Sequence, residues 1–284
     1  MKQLLVLSGK GGTGKTTVAA AFIKLARAKA YADCDIDAPN LHLALPQKNK
    51  PMTEDFYGMD KAEIDETICT SCGRCKTYCR YGAILVKDGK YSVNPFACEG
   101  CAVCDLVCKF DAVRMRPAKA GELKLYQAPD VFSTGELTMG SGNSGKLVTE
   151  VKNKLKNNAT EKLAIIDGSP GIGCPVIASL VGVDMVLIVT EPSLSGLSDL
   201  MRIVETARRA NTKIAVTVNK FDLSPEVTER IKDYCQVENL PMVELIPYDE
   251  KAGEAANTGK TVVDIDSQAG RRVTQAFDQV MQLL

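Results

Sequence analysis

Short apolar runs separated by amphipathic stretches mark both ends of the chain. Gln3–Ser8 (Q-L-L-V-L-S) reads as a buried strand, followed by a Gly-rich turn and a helix-compatible run from about Thr16 to Lys29. Further apolar runs at Leu163–Asp167, Met185–Thr190 and Ile214–Asn219 alternate with helix-like stretches near 145–157, 196–210 and 225–236. Continuous apolar strands that alternate with helices form parallel sheets covered on both faces, because neither face of such a strand tolerates water. The pattern predicts an α/β, Rossmann-like parallel-sheet core.

Between Lys48 and about Ala120 this rhythm stops, and the segment is Cys-rich and turn-rich. Within it C-T-S-C-G-R-C-K-T-Y-C-R-Y-G-A-I, starting at Cys69, is echoed by C-E-G-C-A-V-C-D-L-V-C-K-F-D-A-V, starting at Cys98. Two related halves predict a small inserted unit with pseudo-two-fold symmetry. The expected organisation is 1–58 and 119–284 for the α/β domain, with 59–118 as the insert.

Composition narrows the partners. Lys+Arg and Asp+Glu both total 35 in 284 residues, so the formal net charge is zero. That balance argues against a nucleic-acid coat or a polybasic membrane sensor. No apolar run approaches the roughly 20 residues that span a bilayer, and Met1-Lys2-Gln3 passes straight into the first strand without a cleavage site. A cytoplasmic protein without stable membrane insertion is expected. Eight of the eleven cysteines fall between Cys69 and Cys108, which in a reducing compartment indicates metal ligation rather than disulfides.

Two motifs carry chemistry. Gly9-Lys10-Gly11-Gly12-Thr13-Gly14-Lys15-Thr16, followed by Thr17, satisfies G-x-x-x-x-G-K-T between a predicted strand and a predicted helix. Its glycines let backbone N–H groups crowd round phosphates, Lys15 neutralises the β/γ oxygens, and the Thr16 hydroxyl ligates Mg²⁺. ATP and Mg²⁺ are the expected ligands. A second G-x-x-x-x-G-K, at Gly140–Lys146, is set aside because Leu147 removes the hydroxyl and no convincing strand precedes it. The second motif is the pair of runs Cys69, Cys72, Cys75, Cys79 and Cys98, Cys101, Cys104, Cys108, each C-x2-C-x2-C-x3-C, the spacing used for 4Fe–4S clusters. Zinc sites rarely use this triple-plus-one spacing.

The runs resemble those of bacterial two-cluster ferredoxins, whose fourth cysteine ligates the other cluster. That resemblance implies one cluster on Cys69, Cys72, Cys75 and Cys108 and another on Cys98, Cys101, Cys104 and Cys79, in a small α+β domain. The proline usual after the fourth Cys is replaced by Arg80 and Lys109, whose charge bears on the cluster potentials. Over nearly the whole chain, K-G-G-T-G-K-T-T, D-C-D-I-D-A-P-N, D-G-S-P-G-I-G-C-P, T-E-P-S and V-N-K-F-D occur in the order found in MinD/ParA/Mrp-type ATPases, and the chain resembles members of that superfamily with an inserted ferredoxin domain. The resemblance implies ATP-dependent homodimerisation and slow hydrolysis. It assigns Lys10 to the partner's nucleotide, Asp35 to the attacking water with Asp33 as support, Asp167 to Mg²⁺, Asn219 to adenine, and Ile246-Pro247-Tyr248 to the purine edge.

The remaining signals are structural. Cys174 reads as a buried thiol, as do Cys34 and Cys235, and His42 as a packed or surface residue. Val273, Ala276, Phe277, Val280, Met281 and Leu284 share one helical face, expected to dock on the core. Three functional readings stand: an ATP-gated electron carrier acting on an unidentified redox partner, an Mrp-like cluster carrier, and a MinD-like positioning ATPase with redox-sensing clusters. The missing C-x-x-C pair in the ATPase part counts against the second.

Overall fold

A computed structural model describes Met1 to Leu284. Its strands are β1 (Lys2–Leu7), β2 (Ala30–Asp33), β3 (Met52–Tyr57), β4 (Lys61–Ile64), β5 (Ile84–Lys87), β6 (Lys90–Val93), β7 (Val113–Arg116), β8 (Lys119–Tyr126), β9 (Val131–Leu137), β10 (Leu163–Asp167), β11 (Met185–Thr190) and β12 (Lys213–Val218). Eight of them form one sheet in the order β12-β11-β1-β10-β2-β9-β8-β3. The pairs from β12 through β9 run parallel. β10 and β11, both predicted, flank β1 on either side, so the loop leaving β1 opens where the strand order reverses, the crevice in which open α/β sheets bind ligands.

The predicted helices appear as Ser144–Asn158, Leu194–Arg209 and Pro225–Val237. The first helix spans Lys15–Leu25 and stops short of Lys29, because Arg27 turns left-handed (φ 47°) and the Ala28 N–H reaches back to the Ile23 carbonyl at 2.9 Å. The C-terminal helix Gln268–Leu283 buries Ala269, Val273, Ala276 and Val280 and sets Phe277 edge-on to Phe22 at 5.2 Å. Phe22 is fully buried under the sheet. Phe22→Ala is expected to cost about 3–5 kcal/mol through transfer and cavity terms, read as a lower urea midpoint with unchanged slope. No helix is long and apolar enough to cross a membrane.

The chain divides into a large unit, Met1–Thr53, Leu123–Glu136 and Gly145–Leu284, and a small unit, Glu54–Glu122 and Leu137–Ser144. The boundaries fall inside β3, β8 and β9 rather than at 59 and 118, and 137–144 returns to the small unit. β8 and β9 lie in the stretch after Ala120 where the sequence pattern predicted no strands. β9 also precedes the second glycine motif, contrary to expectation, although Leu147 there is buried in the core.

The small unit repeats itself. β4 pairs antiparallel with β7, and in the same way its equivalent β6 pairs with β5, the equivalent of β7. The short helices Arg74–Tyr78 and Val103–Leu106 occupy equivalent places. Left-handed residues recur in step: Ser71 with Gly100, Gly73 with Ala102, Gly82 with Asp111. The Asp65 N–H donates to Ala112 O as Asn94 N–H donates to Ala83 O, both at 2.8 Å. The repeat in the sequence is thus a repeat in backbone conformation.

Candidate functional site

The loop after β1 is held by its neighbours. Gly12 (φ 80°) and Gly14 (φ 89°) take conformations that a side chain strains, and Gly14 caps the first helix, accepting from Val18 N–H at 3.0 Å. Asn219 Nδ2 donates to Thr13 O at 2.7 Å and Lys220 Nζ to Gly12 O at 3.1 Å. A Cβ on Gly14 would meet Asn219 Nδ2 at 2.3 Å. The Thr13 hydroxyl is buried without a partner, a donor that the loop presents to an incoming group. Gly11 has open space around it.

Strand register assembles the charges. Val6, Asp167 and Asp33 are neighbours across β1, β10 and β2, so both carboxylates stand at the strand ends beside the loop. Lys15 Nζ lies 2.6 Å from Asp167 Oδ1 and 3.8 Å from Asp35 Oδ2, while the Thr16 hydroxyl donates to Asp167 Oδ2 at 2.7 Å. Thr16 Oγ1 and the Asp167 carboxylate form an oxygen set suited to Mg²⁺. Burial works against the Lys15 ammonium, but Asp167, Asp33 and Asp35 outweigh it and raise its pKa. Burial, then Asp167, pushes the Asp33 carboxyl up; burial likewise raises Asp35, which Lys15 partly offsets.

Asp33 accepts N–H bonds from Asp35 at 3.0 Å and from Asn40 and Leu41 at 2.9 Å. Its oxygens therefore shape the 33–41 loop, and Asp35 is the carboxylate of that loop facing Lys15. Lys10 pairs with Glu191 at 2.6 Å and donates to Ser195 Oγ at 3.1 Å and Ser193 Oγ at 3.3 Å. Glu191, in the T-E-P-S pattern, is a partner of Lys10 that the sequence pattern did not reveal, although an acid one residue past an apolar strand was the available signal. The pattern did not reveal Lys220 either.

Gly12, Gly14, Thr17, Asn219 and Pro247 line one cavity of about 290 Å³, walled by Val18, Ile246 and Val273. Asn219 bridges to Ile246 across the strand end, which brings the two predicted segments together. Its apolar walls and amide edge suit a flat heterocycle. A larger cavity of about 460 Å³, with Arg27, Lys29, Tyr31 and Pro129 in its lining, contains none of the predicted residues.

The eight cysteines of the small unit group into two cavities. One is lined by Cys69, Cys72, Cys75 and Cys108, the other by Cys79, Cys98, Cys101 and Cys104. The fourth cysteine of each run faces the first three of the other. The N–H of Ala83 donates to Cys79 Sγ and that of Ala112 to Cys108 Sγ, both at 3.4 Å. No three His, Cys, Asp or Glu side chains converge as ligands of a single metal ion. The donor chemistry, four thiols in each cavity, fits a 4Fe–4S cluster. Cys34 and Cys235 are buried, but Cys174 is exposed, contrary to expectation, at the first position of the helix Cys174–Leu180.

The sequence profile of the CobQ/CobB/MinD/ParA nucleotide binding domain matches residues 4–262. An uncharacterised protein of Methanocaldococcus jannaschii is 38% identical over 223 residues, covering 77% of this chain and 78% of that one. A protein of the same organism described as an uncharacterised ATP-binding protein is 26% identical over 280 residues, covering 96% and 84%. The cell division ATPase MinD of Pyrococcus furiosus has a TM-score of 0.59 at 18% identity, covering 100% of this chain and 99% of that one. The MinD of Pyrococcus horikoshii complexed with Mg-ADP has a TM-score of 0.58 at 18% identity, covering 99% and 96%. At such identities the structural likeness speaks to the fold.

Proposed function

The chain belongs to the CobQ/CobB/MinD/ParA nucleotide-binding family, and from that premise we propose that it hydrolyses Mg–ATP as a nucleotide-dependent homodimer and thereby gates electron transfer through two 4Fe–4S clusters. The crossed grouping of the cysteines carries the iron–sulfur half of this reading, because spacing alone leaves open which four thiols share a site. The clusters, when bound, take up and release single electrons. The partner in that exchange is a redox protein.

In the ATPase half, the backbone N–H groups of Gly11–Thr16 and the end of the first helix receive the phosphates. Lys15 exchanges Asp167 for the β/γ oxygens, and Thr16 with Asp167 holds Mg²⁺, which offsets the phosphate charge. Asp35 orients the attacking water, and Asp33 keeps the loop that carries it in place. Lys10 leaves Glu191 to reach the partner's nucleotide. Asn219 and Pro247 border the base. Because the exchange at Lys15 frees Asp167, nucleotide binding is felt by Gly168–Gly171, whose N–H groups donate to Val6 O and Ser8 O at 2.9 Å.

Gly14→Ala is expected to weaken ATP binding by about tenfold or more, since left-handed strain of about 1–2 kcal/mol adds to displacement of Asn219. Calorimetric titration with a non-hydrolysable analogue reads it. The test of the whole reading is an anaerobic reductive titration of the reconstituted protein followed by EPR, with and without Mg²⁺ and that analogue. Two 4Fe–4S signals that move in potential or shape with nucleotide are expected. Two signals indifferent to nucleotide would replace gating by a carrier or positioning role, and fewer than two would overturn the ligand assignment.

A further inference from the structure

The two cysteine-lined cavities are equivalent in backbone but not in charge. At the position where one half carries Arg74 the other carries Val103, and where one carries Thr70 the other carries Glu99. All four line the cavities: Thr70 and Arg74 with Cys69, Cys72, Cys75 and Cys108, Glu99 and Val103 with Cys79, Cys98, Cys101 and Cys104. The Arg74 Nε is buried with no hydrogen-bond partner, an N–H donor at the wall of a site whose other lining is four thiols, the hydroxyl-bearing Thr70 and Tyr91, and apolar groups. A buried donor of this kind ordinarily has an acceptor, and the sulfurs of a cluster bound in this cavity would supply one.

We propose that Arg74 sets the two sites apart, stabilising the reduced form of the cluster on Cys69, Cys72, Cys75 and Cys108, so that an electron entering the pair comes to rest there. The proposal rests on the 4Fe–4S reading above. Reduction adds one negative charge, and hydrogen bonds to cluster sulfur together with local charge set the potential. A guanidinium keeps its charge at every relevant pH, so the bias is permanent rather than titrated. The halves differ in charge elsewhere too, with Lys76 where the other half has Asp105, but both of these are exposed and solvent screens them. Arg80 and Lys109 occupy equivalent positions and are both exposed, so they act alike on the two sites. On the far side Lys61, whose ammonium bonds the Cys98 carbonyl, opposes the exposed Glu99. The asymmetry therefore falls on Arg74.

The test uses the full-length protein reconstituted with iron and sulfide, titrated with dithionite as the one-electron donor and read by EPR. The wild type is expected to show two potentials. Arg74→Val should lower the higher one, moving the electron's distribution between the sites by at least about tenfold, equivalent to ~59 mV for one electron. Val103→Arg should raise the lower one, and Arg74→Lys, which keeps charge but loses the fork, should fall between wild type and Arg74→Val. If Arg74→Val leaves both potentials in place, or moves only the lower, the proposal is overturned while the cluster reading survives. If Arg74→Val does not load, Val103→Arg decides, and an unmoved lower potential rejects it. Fewer than two clusters in the wild type removes the 4Fe–4S reading and this inference with it.

Discussion

Lys15→Met is expected to abolish ATP turnover, by at least about 10²–10³-fold as for loss of one charge-stabilising donor, and to destabilise the fold by about 3–5 kcal/mol, the cost of leaving a buried charge without its partner. Asp33 and Asp167 are fully buried and Asp35 nearly so, and Lys15 is the one ammonium ion-paired with Asp167 and Asp35. With total stabilities of about 5–15 kcal/mol, such a loss is large. Its pH dependence has a definite sign. Lys15, with its pKa raised, contributes stability present below the unfolded lysine value and lost only as pH rises through the folded one. Asp33 and Asp35, raised by burial, hold protons in the folded state at pH values where the unfolded chain has released them, so their burial costs stability above their folded pKa values, a cost that fades as pH falls and is gone only below the unfolded carboxylate values. Removing Lys15 moves both carboxyls further up. The deficit relative to wild type should be greatest near pH 8 and shrink as pH falls toward the carboxylate range. Urea melts across that span read it, and a deficit that grows on acidification would contradict the charge account. Lys15→Met combined with Asp167→Asn should recover part of the stability and none of the turnover.

Cys79→Ser should remove the same EPR signal as Cys98→Ser, and Cys108→Ser the same signal as Cys69→Ser. Each variant should retain about four of eight irons. The expectation follows from the two cavities, in which Cys79 stands with Cys98, Cys101 and Cys104, and Cys108 with Cys69, Cys72 and Cys75. Iron and sulfide analysis gives the count, and low-temperature EPR identifies which signal survives. If Cys79→Ser instead matched Cys69→Ser, each run would bind its own cluster and the crossed arrangement would be wrong.

Much of this was legible along the chain because it depends on local order. Continuous apolar runs at Leu163–Asp167 and Met185–Thr190, too short for helices and alternating with helix-like stretches, read as strands covered on both faces, and they are strands. A Gly-rich loop between strand and helix needs no distant residue to specify its phosphate-binding backbone, and the doubling of the cysteine run announces the doubled unit. The β8–β9 stretch escaped because Lys119–Tyr126 mixes Lys, Gly and Glu with its apolar residues; pairing within the sheet decides its conformation.

What the sequence by itself determined is the set of elements and the kinds of chemistry available: a phosphate loop, carboxylates at strand ends and eight thiols in two equal runs. Tertiary structure alone decided how these meet. Register across β1, β10 and β2 set Asp167 beside Asp33, the pairing of β11 with β1 brought Glu191 to Lys10, the folded 33–41 loop made Asp33 the acceptor for three of its N–H groups, and Cys174 was left exposed. Tertiary structure also placed Arg74 at the wall of one of two near-identical thiol sites, with its Nε buried, and Val103 at the same place in the other. The physical reason is range: propensity and turn chemistry act over a few residues, whereas burial, ion pairing and the sharing of one cavity depend on chain segments that only the folded sheet makes neighbours.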